Sequence, residues 1–339
     1  MHYCLDRGVH YRNMSRSPMS SEENKSFTFK SKRVWVTGHL GMLGSALVRS
    51  LSKEGAELLV ASSKELDLRD QSAVIDWTHK SRPELVFHAG AKVGGIHANA
   101  TLSADFLHDN LMIQTNVINA AHKFGVRKLL FVASNCTYPT KADQPISEEA
   151  LLTGPLEDNI RSYAIAKIAG IEMCRAYKKQ YGCDYISVIP PNLYGPGDNY
   201  HPEHGHVVAG ILRRAHEAKI SGSNELIVWG DGTARREILY VDDLADAMLI
   251  LMAANVTHDL FNVGCDYDLS IAELASNIID AVGFEGKIVY DSSKPNGTMK
   301  KLLDSSRIKA IGWRPRVDDI TGLKNSYNDF ISRQIVSAK

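Results

Sequence analysis

The chain has 339 residues, with 39 Lys or Arg against 39 Asp or Glu, so its formal net charge is zero. A balanced charge gives no electrostatic reason to expect nucleic acid or an anionic membrane as a partner. Apolar residues make up 44% of the chain, as in ordinary globular proteins, and no apolar run approaches the roughly 18 residues that read as a membrane-spanning helix.

The N-terminal composition and the cysteines both bear on where the protein is located. Residues 1–30 are polar and rich in serine, and they lack the apolar core of a signal peptide. We predict a disordered extension over this range. The five scattered cysteines include no CxxC pair, so they favour reduced thiols in the cytoplasm over a disulfide framework or a metal site.

The ordered part of the chain is predicted to begin at Lys32. An apolar run at 33–37 is typical of a buried strand, and it leads into the glycine-rich segment GHLGMLG at 38–44 and then a helical pattern. In that order such a motif is typical of dinucleotide-binding proteins, where glycines allow a tight turn and a close approach to the diphosphate. The predicted cofactor-binding residues of this motif are Gly38, His39, Gly41, Met42, Leu43 and Gly44.

Strand and helix patterns alternate along the following residues. Strands are predicted at 57–61, 85–89, 128–133 and 185–189, and helices near 72–80, 104–124 and 162–181. This alternation predicts an α/β fold with a doubly wound parallel sheet of Rossmann type. We assign residues 31–192 to a dinucleotide-binding domain, to which some later segments return.

The pattern of predicted elements changes after residue 192, where the loops become longer and the strands shorter. Short strands are predicted at 226–229 and 238–241, and helices at 243–254, 271–282 and 320–332. We predict a smaller α/β lobe over residues 193–335 that closes over the sheet and mainly binds the substrate.

Two short segments carry the strongest chemical signal. Tyr163 and Lys167 are four residues apart, hence on one face of a helix, where the ammonium is expected to lower the pKa of the phenol. The phenol would then donate and accept protons near neutral pH. Ser134 follows a predicted strand and can hold a carbonyl oxygen. Cys136 is unusual, because carbonyl reduction needs no thiol, and it indicates additional proton transfer at carbon.

These features resemble a known family. The 38–44 motif, the Tyr163/Lys167 pair and the smaller C-terminal lobe look like the extended short-chain dehydrogenase/reductases, and residues 32–332 closely resemble the GDP-L-fucose synthases among them. The most specific matches are the segments 91–96, 134–136, 163–170, 192–196 and 293–298. The resemblance implies 3,5-epimerisation and 4-reduction of a GDP-4-keto-6-deoxy sugar with NADP(H), or alternatively NAD(H).

The resemblance also implies the roles of individual residues. Cys136 is the expected base at the sugar carbons, and register with the family selects His206, rather than His201 or His204, as the partner acid. The expected catalytic set is Ser134, Cys136, Tyr163, Lys167 and His206. The sugar nucleotide is expected to meet Arg214, Trp229 and Arg236, because guanidinium groups suit a diphosphate and an indole plane suits a base.

The adenosine end of the cofactor site departs from the family pattern. Bacterial relatives often carry arginines where this chain has Leu40 and Ser63, yet no carboxylate typical of NAD enzymes directly follows Val60. We therefore favour NADPH. The remaining expected cofactor contacts are Ser62, Ser63 and Lys64 at the phosphate, Asp67 at the adenine, and Tyr163, Lys167 and Asn192.

Three other functions were weighed. A nucleotide-sugar dehydratase needs an acid beside the serine, and Asn135 and Thr137 occupy those positions. An epimerase/reductase of another GDP-4-keto sugar, of colitose or heptose type, stays open. A non-catalytic dinucleotide sensor is disfavoured, since it would need no proton donor such as Tyr163. The long helices at 104–124 and 162–181 are expected to pair across a two-fold axis into a homodimer.

Overall fold

The computed structural model describes residues 27–202, 205–294 and 296–337. Residues 1–26 of the predicted extension, and His204, lie outside the described residues. The strands in chain order are β1 Arg33–Thr37, β2 Glu57–Leu59, β3 Leu85–His88, β4 Lys128–Val132, β5 Asp184–Ile189, β6 Asn192–Tyr194, β7 Glu225–Trp229, β8 Arg235–Arg236, β9 Ile238–Tyr240, β10 Leu260–Asn262, β11 Leu269–Ser270 and β12 Lys287–Asp291.

Helices alternate with these strands through the first half of the chain. They are α1 Met42–Lys53, α2 Gln71–Ser81, α3 Ile96–Thr101, α4 Ser103–Lys123, α5 Arg161–Tyr181, α6 Val207–Ser221, α7 Val241–Ala253, α8 Ile271–Val282, α9 Ser306–Ala310 and α10 Asp319–Ser337. Among the described residues, none of these helices is both long and apolar enough to cross a membrane.

A six-stranded sheet in the order β10-β5-β4-β3-β1-β2 lies at the centre, and all its pairs are parallel. Its middle strands β3 and β4 are buried along their whole length, as expected when helices cover both faces. Alternate residues of β1 serve the two faces: Val34 and Val36 join the core beneath α1 and α7, and Trp35 joins the core beneath α2, α4 and α5. The predicted fold class is confirmed.

A separate apolar core supports the C-terminal lobe. It is built from α6, α8 and α10 with the parallel pair β7–β12. Two further small pairs, β6–β9 and β8–β11, connect this lobe to the sheet. Strand β10 returns to the edge of the central sheet beside β5 after the chain has passed through the lobe.

Element ends differ from the sequence predictions mainly where strands stop early. The strand predicted at 57–61 ends at Leu59, because the chain leaves the sheet and Val60 is 41% exposed. Helix α8 coincides with the predicted range 271–282, and its start carries a capping box between Ser270 and Glu273. The short strands β6, β8, β10 and β11, and also β12, were not predicted.

Packing begins before the predicted boundary at residue 31. Phe29 is only 5% exposed and its ring lies 6.4 Å from that of Phe87, a core residue of β3. Phe27 contacts Phe29 edge-on at 5.1 Å and is only partly buried. The segment just before β1 is thus part of the core on the α1 side of the sheet.

We predict that Phe29→Ala lowers the free energy of unfolding by about 3 kcal/mol, since it leaves a cavity against a rigid sheet. Phe27→Ala serves as the matched control and should cost about 1 kcal/mol or less, because that ring is partly solvated. Urea unfolding of the two variants measures the difference. Equal small effects would show that the chain before β1 does not contribute to the core.

Candidate active site

A cavity of about 620 Å³ opens where the carboxyl ends of the central strands face the C-terminal lobe. Most residues expected from the sequence line it: Gly38, Gly41, Met42, Leu43, Gly44, Ser134, Cys136, Tyr163, Lys167, Asn192, His206, Arg214, Trp229 and Arg236. The remaining five are not on its wall: His39, Ser62, Ser63, Lys64 and Asp67. The cavity therefore contains the expected catalytic and sugar-nucleotide residues and the glycine turn, but not the residues expected at the 2′-phosphate of the cofactor.

The glycine turn has the shape that a dinucleotide diphosphate requires. Gly38 has a φ of +68°, and a Cβ there would lie 2.8 Å from the Cα of Gly90. A Cβ on Gly44 would lie 2.0 Å from the carbonyl oxygen of Gly38. Helix α1 begins at Met42 without a side-chain cap, so its first N–H groups and its dipole face the cavity as an anion site. These residues fit the diphosphate of NADP.

Ser134 and Cys136 form one wall of the cavity, just after β4. Ser134 caps the 3₁₀ turn Asn135–Thr137, and its Oγ accepts the N–H of Cys136 at 3.4 Å. The thiol is 5% exposed, and burial raises its pKa, whereas the ammonium groups of Lys301 and Lys167 act in the opposite direction. A neutral thiol with two nearby cations can release its proton when a substrate changes the surroundings.

Tyr163 and Lys167 share one face of α5, as their spacing predicts. The Nζ atom of Lys167 lies 5.7 Å from the centroid of the Tyr163 ring and donates a hydrogen bond of 2.9 Å to the carbonyl of Val132. The expectation that this ammonium lowers the pKa of the phenol is wrong in this structure. Burial raises the pKa of Tyr163, and it lowers the pKa of Lys167 to about 8. Desolvation is the largest cause for both groups, and the neighbouring thiol of Cys136 raises the pKa of the phenol further.

His206 stands on another part of the cavity wall, as the residue preceding α6. Its Nδ1 lies 3.7 Å from Oδ1 of Asp198, which is an ion-pair distance and slightly too long for a hydrogen bond. The carboxylate raises the pKa of His206 against the opposing effect of burial. Asp198 is itself 5% exposed and accepts the N–H of Asn199 at 2.7 Å. The sequence carried no periodic signal for Asp198, which lies in a loop before the histidine.

The far end of the cavity is cationic and aromatic. The Arg214 guanidinium lies 5.2 Å from the centroid of Trp229, its Nε is buried without a hydrogen-bond partner, and Lys294 approaches the same indole at 5.7 Å. Arg236 donates to the carbonyl oxygens of Asn296 and Thr298. Burial lowers the pKa of both arginines, although they remain cations.

A second cation near the thiol was missed from the sequence. The Nζ of Lys301 lies 3.9 Å from Oε2 of Glu157, and only 10% of its side chain is exposed. Lys301 lies three residues after the 293–298 segment that resembles the family, so its position near that segment was the available signal.

The loop after β2 is arranged differently from the expectation. Both the N–H and the hydroxyl of Ser62 donate to Oε2 of Glu65 at 2.8 Å, so these donors already hold a carboxylate. No carboxylate directly follows Val60, as expected, but the sequence analysis overlooked Glu65, five residues later. Asp67 is engaged by Arg69, whose Nη2 lies 2.8 Å from Oδ2, and Arg69 was not considered.

Comparison with known proteins adds to this geometry. The model of the NAD dependent epimerase/dehydratase family matches residues 34–264, more than half of the 339-residue chain. The chain belongs to this family. Members bind a nicotinamide dinucleotide by the family's own description, in agreement with the glycine turn of this chain.

Relatives within the family narrow the comparison. The chain is 51% identical to probable GDP-L-fucose synthase 1 of Oryza sativa subsp. japonica over 91% of this chain and 95% of the relative. It is 49% identical to the GDP-L-fucose synthase of Sinorhizobium fredii over 90% and 98%. Identity to the GDP-L-colitose synthase of Yersinia pseudotuberculosis is 33% over 89% and 99%. The resemblance to the GDP-L-fucose synthases is confirmed.

Solved structures of this family share the fold. A GDP-L-fucose synthetase from Naegleria fowleri bound to NADP superposes with a TM-score of 0.85 at 28% identity and covers 94% of this chain and 99% of its own. The likeness extends through the C-terminal lobe as well as the sheet.

We predict that Asp198→Asn shifts the alkaline limb of the kcat/KM profile to lower pH. His206 must be protonated to act as an acid, and loss of the carboxylate lowers its pKa, so activity should fall more at alkaline than at acidic pH. Glu225→Gln removes an exposed carboxylate that pairs with Lys287 outside the cavity and is the control. A profile that keeps its alkaline limb in Asp198→Asn would contradict the role of the pair.

Proposed function

We propose that the protein is a GDP-L-fucose synthase, which converts GDP-4-keto-6-deoxy-D-mannose into GDP-L-fucose by 3,5-epimerisation and NADPH-dependent 4-reduction. The observation that carries this proposal is one cavity lined by the thiol of Cys136, the imidazole of His206, and the Ser134, Tyr163 and Lys167 side chains. The last three suffice for ketone reduction, whereas the first two supply the separate acid and base that inversion at carbon requires. Relatives named as GDP-L-fucose synthases, 49–51% identical to this chain, support the proposal.

Epimerisation uses the acidity that the C4 ketone gives to the neighbouring C3 and C5 hydrogens. Cys136 removes a proton from one face of the ring, and His206 returns a proton from the other. Asp198 raises the pKa of His206, which favours the protonated form that a donor requires. The hydroxyl groups of Ser134 and Tyr163 donate to the C4 oxygen while negative charge develops there.

Reduction uses the same hydroxyl pair. Bound NADPH supplies the hydride for C4. Tyr163 donates its proton to the C4 oxygen, and burial suits it to this task because it keeps the phenol protonated until the oxygen becomes basic. The Lys167 ammonium, 5.7 Å from the ring centroid, then stabilises the phenolate. The raised pKa of Tyr163 thus favours a role as proton donor over a role as preformed base.

The sugar nucleotide is proposed to lie along the cationic end of the cavity. Arg214 and Arg236 suit the two phosphates of GDP, because planar guanidinium groups form paired hydrogen bonds with phosphate oxygens. Trp229 is 48% exposed and offers its face to the guanine. This arrangement directs the sugar toward Cys136 and Tyr163.

A related substrate is the second candidate, since the GDP-L-colitose synthase relative shares 33% identity over nearly its whole length. The name of that relative indicates a different GDP sugar as its product. Comparing turnover of GDP-4-keto-6-deoxy-D-mannose with turnover of a GDP-4-keto-3,6-dideoxy sugar separates the two functions. Preference for the first substrate is expected.

We propose a cytoplasmic homodimer formed through α4 and α5. These helices pack against each other along the sheet, and α5 exposes the apolar Ile165. Closed two-fold pairing is the commonest assembly of soluble oligomers. Light scattering at micromolar concentration should give twice the mass of the 37.4 kDa chain, and Ile165→Lys should weaken the dimer. A wild-type monomer would contradict this assembly.

We predict that Cys136→Ser and Tyr163→Phe separate the two halves of the reaction. In heavy water the wild type should place deuterium at C3 and C5 but not at C4. Cys136→Ser should lose most of this exchange, by about 100-fold or more, and still bind cofactor. Tyr163→Phe should block reduction, with little NADPH consumed.

Cys183→Ser is the matched control for the thiol variant, because Cys183 is half-buried and lies outside the cavity. It should behave as the wild type. Normal exchange in Cys136→Ser would remove the thiol from the mechanism, and unlabelled wild-type product would leave only a reductase.

We further predict a modest preference for NADPH. Lys64 is the cation proposed for the 2′-phosphate, but the nearby Glu65 carboxylate opposes it and Ser62 is already engaged. Lys64→Ala should therefore raise KM for NADPH by roughly tenfold or less, and by less for NADH. The ratio of kcat/KM for the two cofactors in the wild type and the variant measures this. An unchanged ratio would point instead to another cation, such as Arg69.

A further inference from the structure

A second cavity, of about 320 Å³, lies at the amino ends of the central strands, opposite the first cavity. Its lining includes Arg33, which begins β1, Glu84, which precedes β3, and Arg127, which precedes β4. Parallel strands begin at one edge, so these residues come together far from the first cavity. Four residues of β1, 34–37, separate Arg33 from the glycine turn, a span of roughly 13 Å or more.

Three guanidinium groups converge on this cavity without carboxylate partners. In the part of the chain that the structure describes, the side chains of Arg33, Arg82 and Arg127 make neither an ion pair nor a hydrogen bond. The Nε of Arg33 is buried and unpartnered. A buried donor without a partner is costly, and such an atom calls for a ligand or another explanation.

Glu84, the one carboxylate among the described lining residues, is already engaged. Its Oε2 accepts the Nζ of Lys32 at 3.1 Å, and its Oε1 accepts the backbone N–H of Arg33 at 3.3 Å. Glu84 thus pairs directly with Lys32 and also acts electrostatically on Arg33. The lining carries three arginines against this one carboxylate, an excess of two positive charges in a chain with zero net charge.

The backbone beneath the arginines is fixed. The N–H of Glu84 donates to the carbonyl of Arg33, and the N–H of Arg127 donates to the carbonyl of Glu84, both at 2.9 Å. Arg82 ends α2 with a φ of +48°, a left-handed position where glycine is usual. The three side chains thus project from anchored backbone positions, so the fold alone brings the three arginines to one cavity.

We propose that this cavity binds the phosphate groups of a small molecule through Arg33, Arg82 and Arg127. Planar guanidinium groups recognise phosphate oxygens with paired hydrogen bonds, and three of them match the charge of a diphosphate. The rings of His79 and Phe124, whose centroids lie 5.4 Å apart with planes tilted by 43°, form an adjacent aromatic wall. Free diphosphate and the diphosphate of a nucleotide share the chemistry, and the ring wall is what would distinguish them.

Calorimetric titration of inorganic pyrophosphate into the NADP⁺-saturated protein tests the site. The first cavity also carries cations, so binding is compared in Arg214→Gln, which weakens that cavity, and in Arg82→Gln/Arg127→Gln, which weakens the second. Both arginines of the double variant are exposed, so the fold should be retained, as an unchanged melting temperature would verify. Lys324→Gln removes an exposed charge on α10 and is the control.

We expect a site that persists in Arg214→Gln and Lys324→Gln and loses affinity by tenfold or more in the double variant, since each lost charge-assisted hydrogen bond has about that effect. ADP binding more tightly than pyrophosphate at this site would identify a nucleotide, and equal or weaker binding would identify free diphosphate. Affinity that is the same in the double variant and the wild type, or binding abolished by Arg214→Gln, would overturn the proposal. Neither result bears on the epimerase and reductase activities.

Discussion

Parallel pairing of the central strands is the constraint on which both ends of this molecule depend. Residues 34–37 of β1 pair with 85–88 of β3, and these with 128–131 of β4, so the three strands start and stop nearly together. Because every strand runs the same way, the loops after them meet at one edge and the loops before them at the other. The same hydrogen-bonding pattern therefore gathers Gly38, Gly90 and Ser134 at one edge and Arg33 and Arg127 at the opposite one.

Desolvation sets the proton chemistry of the first cavity more strongly than charge pairing does. Burial raises the pKa values of Tyr163 and Cys136 and lowers that of Lys167 to about 8, so each group is pushed toward its neutral form. His206 differs, because Asp198 raises its pKa despite burial. The cavity thus holds neutral hydroxyl groups and a neutral thiol together with one imidazole biased toward its charged form. In such a site the hydroxyl groups keep their protons until the substrate oxygen becomes basic enough to take them, which limits wasteful reaction with water.

The sequence was most informative where patterns are local. The glycine turn, the first five strands and the Tyr163/Lys167 spacing each depend on residues close together in the sequence. The structure contains them as predicted. Features that depend on residues far apart in the sequence were not predicted. Strand β10 has three residues and owes its place to β5, about 75 residues earlier, and β12 depends on pairing with β7. The Asp198–His206 and Ser62–Glu65 contacts needed loop geometry that no periodicity reveals.

The tyrosine pKa shows a different kind of failure, one of relative magnitude. Spacing correctly placed the ammonium of Lys167 beside the phenol of Tyr163, yet proximity alone does not fix the sign of a pKa shift. Lys167 is 4% exposed and directs its ammonium to a backbone carbonyl, so it loses solvation along with the phenol. Two groups buried together each favour the neutral state unless their attraction exceeds both desolvation costs. Burial is a property of the folded chain and could not be obtained from the i, i+4 spacing.

A zero net charge likewise says little about local potential. Among the residues that the structure describes, arginines that form no ion pair occur together at two places, the arginine and tryptophan end of the first cavity and the arginine cavity across the sheet. Acidic residues elsewhere balance the total by pairing with other cations, as Asp109 does with Lys92 and Asp268 with Arg235. Since exposed charges farther apart than about 8–10 Å are largely screened, each cluster acts on its own surroundings. Overall neutrality gave no support to a nucleic-acid or membrane surface, but it had no power to exclude compact anion sites. Arg214 and Arg236 of the first cavity were expected from the sequence, whereas the arginine cavity across the sheet became visible only in the fold.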